Sequence, residues 1–216
     1  SVQEMYDFVK LGFDLAFKYR NPAMILSDGA IGQVMEKVMV DDYVPRWTEE
    51  EIRKISPWAT WGKPATRGHN IITSLELQSD KQEKFNNKLQ AKYKVIEENE
   101  VRYEAIDCDG ADYIFVAYGS SARLCQKAME LGREKGLKIG LLRPITLWPF
   151  PSKILKELAG KVKGMLAVEM SAGQMIEDVR LATEFKVKAE HYGRMGGIIA
   201  TPAEVLEALE TKIING

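Results

Sequence analysis

From Ala111 onward the chain alternates short apolar runs with amphipathic segments, at a spacing that leaves little freedom in how it folds. Residues 113–117, 138–142, 165–169 and 186–190 read as strands, and residues 120–133, 151–158, 174–183 and 202–209 read as helices. A strand that is always followed by a helix pairs in parallel, because each crossover carries the chain back to the same end of the sheet. The expected fold class is therefore α/β: a doubly wound parallel sheet of four or five strands with helices on both faces. Ala122, Cys125, Ala128, Met129 and Gly132 mark the inward face of the first helix. Thr201 followed by Pro202 is a helix start, with a hydroxyl to cap and a proline whose missing donor is not needed.

The first hundred residues differ. Met5, Phe8, Val9, Gly12, Leu15, Ala16 and Tyr19 recur at helical spacing, and Asn21-Pro22 ends that helix. Ala23 to Leu26 is a four-residue apolar run that reads as a short buried strand, stopped by Ser27-Asp28-Gly29. In residues 41–82, Pro45, Pro57, Gly62, Pro64 and Gly68 fall among Trp47, Trp58 and Trp61, and no period survives, so an irregular connector is expected. A loop of that length usually serves an interface or a site. Residues 80–100 then read as a polar helix with Phe85, Leu89, Tyr93 and Ile96 on one stripe.

Charge narrows the function classes. With 30 Lys+Arg against 31 Asp+Glu, the net charge of −1 speaks against bulk electrostatic binding to nucleic acid or to an anionic membrane. No apolar run reaches the ~18 residues that span a bilayer. Cys108 and Cys125 form no CxxC pair, which argues against a zinc or iron–sulfur site and for reduced structural thiols in a cytoplasmic protein.

Sites in open α/β sheets gather at the carboxyl ends of strands. One such end, Tyr118-Gly119-Ser120-Ser121, runs through glycine into a serine-capped helix; it is either an anion site or an ordinary tight turn. Arg143-Pro144-Ile145-Thr146-Leu147-Trp148-Pro149-Phe150-Pro151 is a stiff apolar loop, suited to an interface or packed on itself. At Glu169-Met170-Ser171-Ala172-Gly173-Gln174 an acidic residue ends a buried strand just before a helix, where free amides can satisfy it; a cap, an interface anchor and a catalytic acid all remain open. Ser27-Asp28-Gly29-Ala30-Ile31-Gly32-Gln33 has the Asp-Gly of a common turn. His69, in Gly68-His69-Asn70, stands in the connector. No nucleotide-phosphate motif (GxGxxG or GxxxxGK[ST]) occurs.

Taken together, the loop at 143–151 and the turn at 168–175, one βα unit apart, resemble the C-terminal transketolase-like domain of α subunits of 2-oxoacid:ferredoxin oxidoreductases. In that family an Arg-Pro…Leu…Pro-Phe-Pro loop precedes a Glu-Met-Asn-x-Gly-Gln turn; here Ser171 stands where the family has Asn. The run ending at Asp28 and the Gly68-His69-Asn70 connector are also similar, although the family often has an acidic residue in place of Asn70. The members acting on branched 2-oxoacids such as 2-ketoisovalerate look nearest, ahead of the 2-oxoglutarate group.

The resemblance implies oxidative decarboxylation of a 2-oxoacid to an acyl-coenzyme A, with electrons passed to ferredoxin. It implies thiamine diphosphate and Mg²⁺ in the assembled enzyme, a [4Fe–4S] cluster on another subunit, and β- and γ-type partner subunits. It nominates Asp28, Gly29, Gln33 and His69 as cofactor-binding residues, and Arg143, Pro144, Trp148, Pro149, Glu169, Gly173 and Gln174 as an interface or structural motif. No residue is nominated as catalytic or metal-binding. The family's Tyr-Pro-Ile-Thr-Pro segment and its Gly-Asp-Gly…Asn signature have no counterpart, so the expected organisation is a remnant of a pyrimidine-binding domain (residues 1–43), a connector with a polar helix (44–105) and a transketolase C-terminal-like domain (106–216). Such a chain lacks a complete active site and is expected to be inactive alone. The competing expectations are the C-terminal half of a transketolase or of a 2-oxoacid dehydrogenase β subunit, and a non-catalytic interaction module.

Overall fold

The computed structural model describes residues 1–42 and 44–216; Tyr43, where the expected first boundary falls, lies outside the described residues. The chain divides into two compact units, one formed by residues 26–35 and 95–216 together with Ser1, the other by residues 2–25 and 36–94.

The larger unit is built on a five-stranded sheet. Its strands are β1 (Tyr103–Ile106), β2 (Tyr113–Val116), β3 (Ile139–Pro144), β4 (Gly164–Glu169) and β5 (Ala189–Gly193), in the order β1-β3-β2-β4-β5. The last four are mutually parallel, as the alternation predicts. β1 departs from the expectation: it pairs antiparallel with β3 at the edge, inside what reads as connector. Its exposed faces give it no apolar alternation to detect.

The core is held by strands buried on both faces, which is why they read as continuous apolar runs. Phe115 and Ala117 of the β2 region, Leu141 of β3, and Leu166 and Val168 of β4 pack toward α4 (Gly119–Glu134) and α7 (Pro202–Leu209). Ile114, Val116, Leu142, Met165 and Ala167 pack on the opposite face, against α5 (Ser152–Ala159) and α6 (Met175–Ala182). Helices on both faces make the sheet doubly wound. The predicted inward residues of α4 are all buried, and α7 starts with a full capping box between Thr201 and Glu204. The open edge at β5 is closed by cations: Arg180 Nε donates to the Ala189 carbonyl at 3.1 Å and Lys212 Nζ to the His191 carbonyl at 2.7 Å. Those carbonyls would otherwise invite a further strand.

The smaller unit is helical and loop-rich. Helix α1 (Val2–Tyr19) appears where the periodicity puts it and ends at Arg20, whose φ is 46°. The Gln3 side chain brackets the backbone of Met39, accepting from its N–H at 2.7 Å and donating to its carbonyl at 3.2 Å. Phe17 and Trp47 stack at a tilt with centroids 6.3 Å apart. The expected strand at residues 23–26 is absent: those residues have no regular secondary structure and are exposed, Met24 at 82%. A strand exists only through a ladder to a neighbour, and among the described residues none pairs with this run. The connector is not wholly irregular either. It contains α2 (Glu49–Ile55), opened by a capping box in which the Glu51 N–H donates to Thr48 Oγ1 and the Thr48 N–H to the Glu51 carboxylate. The polar helix is α3 (Ser79–Asn99), close to its expected limits.

Both cysteines are free. Cys108 Sγ donates to the carbonyls of Ile106 and Leu141, and burial raises its pKa to about 11; burial also pushes the Cys125 thiol up. Among the described residues no helix is long and apolar enough to cross a membrane.

Phe115 is fully buried at the centre of the sheet. Phe115→Ala is expected to lower stability by about 3–5 kcal/mol, read as a fall in the denaturant midpoint of the α/β unit. A loss below about 1 kcal/mol would contradict this account of the core.

Candidate functional site

The parallel strands reverse their winding between β2 and β4, because the chain leaves β2 to one side for β3 and then crosses back to β4. In a doubly wound sheet the crevice beyond the carboxyl ends of that pair is where ligands bind. Here it is flanked by the starts of α4 and α6, and each start is occupied by a carboxylate of the chain itself.

At α6 the group is Glu169, the last residue of β4, only 7% exposed. One carboxylate oxygen accepts from the N–H groups of Gln174 and Met175, both at 2.9 Å, and from the Ser171 hydroxyl at 3.1 Å. The other accepts from the Ile176 N–H at 3.0 Å. Burying a carboxylate without such donors costs several kcal/mol; here the first-turn amides of α6, which have no partners within the helix, supply them. The turn that permits this depends on two glycines. Gly173 has φ 109°, and its N–H donates to Ser171 Oγ at 3.2 Å. A Cβ on Gly193, at the end of β5, would stand 2.2 Å from the Ser171 carbonyl oxygen.

At α4 the group is Asp28, from the 26–35 segment. Helix α4 begins after Tyr118, which offers no side-chain cap. The expected serine cap is therefore corrected: Ser120 donates rather than accepts, its hydroxyl to Asp28 Oδ2 at 2.8 Å and its N–H to the same oxygen at 3.2 Å. The other oxygen accepts from the Ile31 N–H at 2.8 Å. Burial pushes the Asp28 pKa up, but the hydrogen bonds from Ile31, Ser120 and Ala30 outweigh it and hold the carboxyl below its ordinary value.

Around Glu169 other groups feel its charge. Burial and then the Glu169 charge raise the pKa of the Tyr118 phenol. Asp178 is raised by burial, then by Glu177 and Glu169. His191 Nε2 lies 3.8 Å from Glu169 Oε1, beyond hydrogen-bond reach, and is a buried atom with no hydrogen-bond partner among the described residues. The sequence reading takes His191, beside Tyr192 at a strand end, as structural, names Tyr118 only within the turn at 118–121, and does not single out Asp178. Only the topology, which aligns β2, β4 and β5, brings them together.

The nominated residues are scattered. Gly29 and Gln33 are exposed in the turn after Asp28, whereas His69 is exposed in the other unit. Arg143 lies at the end of β3 with Nε 2.8 Å from Glu104 on β1. Pro144 and Pro149 are buried, and Trp148 is half exposed. The loop between them is pinned to Arg102, whose carbonyl accepts from the N–H groups of Ile145 and Thr146. Gln174 is exposed and contributes its N–H to Glu169. Among the described residues no group of three or more His, Cys, Asp or Glu side chains converges to hold a metal. Asp28 already spends both oxygens on amides and a hydroxyl, so the residues present do not make a diphosphate–Mg²⁺ site.

Comparison with known proteins gives these geometries a context. Residues 111–205 match the family model described as pyruvate:ferredoxin oxidoreductase core domain II. Over 211 residues the chain is 44% identical to the ketoisovalerate oxidoreductase subunit VorB of Methanothermobacter thermautotrophicus, covering 97% of this chain and 57% of that subunit. The 2-oxoglutarate synthase subunit KorA of Methanocaldococcus jannaschii is 30% identical over 230 residues, covering 97% of this chain and 61% of KorA. Among solved structures, a 2-oxoglutarate:ferredoxin oxidoreductase from Magnetococcus marinus aligns with 64% of this chain and 24% of its own at a TM-score of 0.56 and 23% identity, a likeness of fold. The α/β unit thus has the doubly wound architecture expected from the sequence, and shares the fold of a domain of that oxidoreductase. The chain spans 57–61% of the length of the curated relatives it matches, and by sequence it is related to subunits of 2-oxoacid oxidoreductases. The expected α-subunit label is corrected by these relatives, of which the two at 42–44% identity are both named VorB. They do not favour the transketolase or dehydrogenase alternative.

A carboxyl whose pKa is lowered on folding stabilises the fold above its unfolded pKa, near 3.9, and loses that contribution as pH falls through the lower folded value. Asp28→Asn is therefore expected to cost about 1 kcal/mol near neutral pH, as for a lost helix cap. The gap to the unsubstituted chain closes as pH falls below about 4. Denaturant midpoints measured from pH 7 to pH 3 check this, and a gap that stays constant across the range would contradict it.

Proposed function

We propose that the chain is part of a VorB-type subunit of an oxidoreductase that converts a branched 2-oxoacid, of the 2-ketoisovalerate kind, to an acyl-coenzyme A and passes the electrons to ferredoxin. One observation carries the reading: 44% identity to a ketoisovalerate oxidoreductase subunit, running through 97% of this chain rather than through a shared motif. The 2-oxoglutarate synthase subunits align as extensively but at 27–30% identity, which favours the branched substrate.

In this reading residues 1–43 belong to a pyrimidine-binding domain, residues 44–105 connect it onward, and residues 106–216 form the transketolase C-terminal-like domain. Thiamine diphosphate with Mg²⁺, which supplies the carbanion chemistry on the 2-oxo carbon, is held elsewhere in the assembled enzyme, and the [4Fe–4S] cluster belongs to another subunit. The other subunits of the enzyme are the direct partners, in the cytoplasm. Ferredoxin and coenzyme A meet the complex.

This chain's contribution is a rigid frame. Glu169 and Asp28 take up the free amides at the crevice, so that end of the sheet is set before any partner arrives. The stiff loop at 143–151, with Trp148 half exposed beside buried Pro144 and Pro149, then offers a surface that loses little entropy on contact. Arg143, Gly173 and Gln174 hold that frame rather than touch the reacting atoms. Asp28, Gly29, Gln33 and His69 approach the cofactor only through the assembly.

The test is reconstitution of the full-length subunit with the other subunits, followed by coenzyme A-dependent reduction of methyl viologen. The expected result is a kcat/KM for 2-ketoisovalerate at least tenfold above that for 2-oxoglutarate or pyruvate, and no turnover by the 216-residue chain alone. A preference for 2-oxoglutarate, or decarboxylation by the isolated chain, would overturn the reading.

A further inference from the structure

Helix α3 carries a row of lysines that the described chain leaves uncompensated. Lys84, Lys88 and Lys92 follow at i, i+4 and i+8, with Lys81 one turn before Lys84. They share one face over about 16 Å of helix axis. Like charges at that spacing weaken a helix. Helix α2 uses the same spacing in the opposite sense, pairing Arg53 with Glu49 and Lys54 with Glu50. On α3, Lys81, Lys84 and Lys88 are exposed and make no ion pair among the described residues. Lys92 donates to the Arg20 carbonyl at 3.3 Å and to Asn21 Oδ1 at 2.9 Å; burial, and then the charges of Arg20 and Lys88, lower its pKa. Alongside the row runs an apolar stripe, Phe85 and Leu89, with Phe85 45% exposed.

We propose that this face of α3 is a docking surface for an acidic amphipathic helix of a partner protein. Carboxylates at i and i+4 on that helix would lie along Lys81, Lys84 and Lys88, and its apolar side chains would cover Phe85 and Leu89. The spacing carries the choice of partner, because a helix is the element that repeats carboxylates at the interval at which α3 repeats ammonium groups. The row contains no arginine to fork onto a phosphate, and a phosphate backbone would leave the apolar stripe uncovered. The arrangement is that of an apolar strip with a charged rim. It rests on α3 itself and stands apart from the choice of 2-oxoacid.

The 216-residue chain is titrated with a synthetic helical peptide bearing glutamates at i, i+4 and i+8 beside leucines. The expected result is saturable, salt-sensitive binding that weakens at least tenfold in Lys84→Glu/Lys88→Glu and less in Lys84→Gln/Lys88→Gln. The charge-reversed chain is expected to bind the lysine counterpart of the peptide at least tenfold better than the unsubstituted chain does. Circular dichroism confirms that the variants keep their helices, and Lys153→Glu/Lys161→Glu, on exposed lysines of the α/β unit, leaves affinity unchanged. The proposal falls if the peptide does not bind, if reversal at Lys84 and Lys88 makes no difference, or if reversal at Lys153 and Lys161 weakens binding equally. It also falls if a single-stranded oligonucleotide occupies the same lysines more tightly than the peptide.

Discussion

A buried carboxylate must be met by donors or it will not stay buried, and Glu169 sets that condition for the carboxyl end of this sheet. Its side chain leaves β4 in the one direction where free amides are available, the first turn of α6. To bring those amides round, the chain turns through Gly173 in the left-handed region, and β5 must approach so closely that only Gly193 fits. One carboxyl group thus ties together β4, α6 and β5. It also explains why the turn is short, with Ser171 folded back to make a further donation to Glu169.

Asp28 applies the same chemistry from a different part of the chain. The start of α4 has no cap of its own, and the carboxylate that serves it comes from the 26–35 segment, 92 residues earlier. Both helix starts that flank the β2/β4 crevice are therefore satisfied internally, by carboxyl side chains where many open sheets of this kind hold a ligand anion. The amides at both starts are thus taken up by the chain's own side chains. The match of residues 111–205 to the model of pyruvate:ferredoxin oxidoreductase core domain II is consistent with that architecture.

How much of this was legible in the sequence follows from how each part is held. The parallel strands were readable because burial on both faces turns them into continuous apolar runs, Ile114-Phe115-Val116 above all. α4 and α7 were readable because one face alone is buried. β1 was not, since an exposed edge strand such as Tyr103–Ile106 has no pattern beyond its partner. The run at residues 23–26 was misread because apolar residues announce burial without saying whether a neighbouring strand is there. α2 could have been found: Thr48 and Glu51 form a capping box three residues apart, but the surrounding tryptophans and prolines drew attention from it. In the crevice, Glu169 followed by Gly173 and Gln174 signalled a cap in the linear sequence, whereas Asp28 with Ser120 could not be seen, because no local pattern joins residues so far apart.

The central claim is that Glu169 organises the crevice through the first-turn amides of α6. Hydrogen exchange at the N–H groups of Gln174, Met175 and Ile176, in the unsubstituted chain and in Glu169→Ala, tests it most directly. The account predicts slow exchange at all three in the unsubstituted chain and a rise of at least tenfold on substitution, confined to this turn and the neighbouring end of β5. Amides that already exchange as fast as those of an open loop, or that keep their protection without the carboxylate, would contradict it.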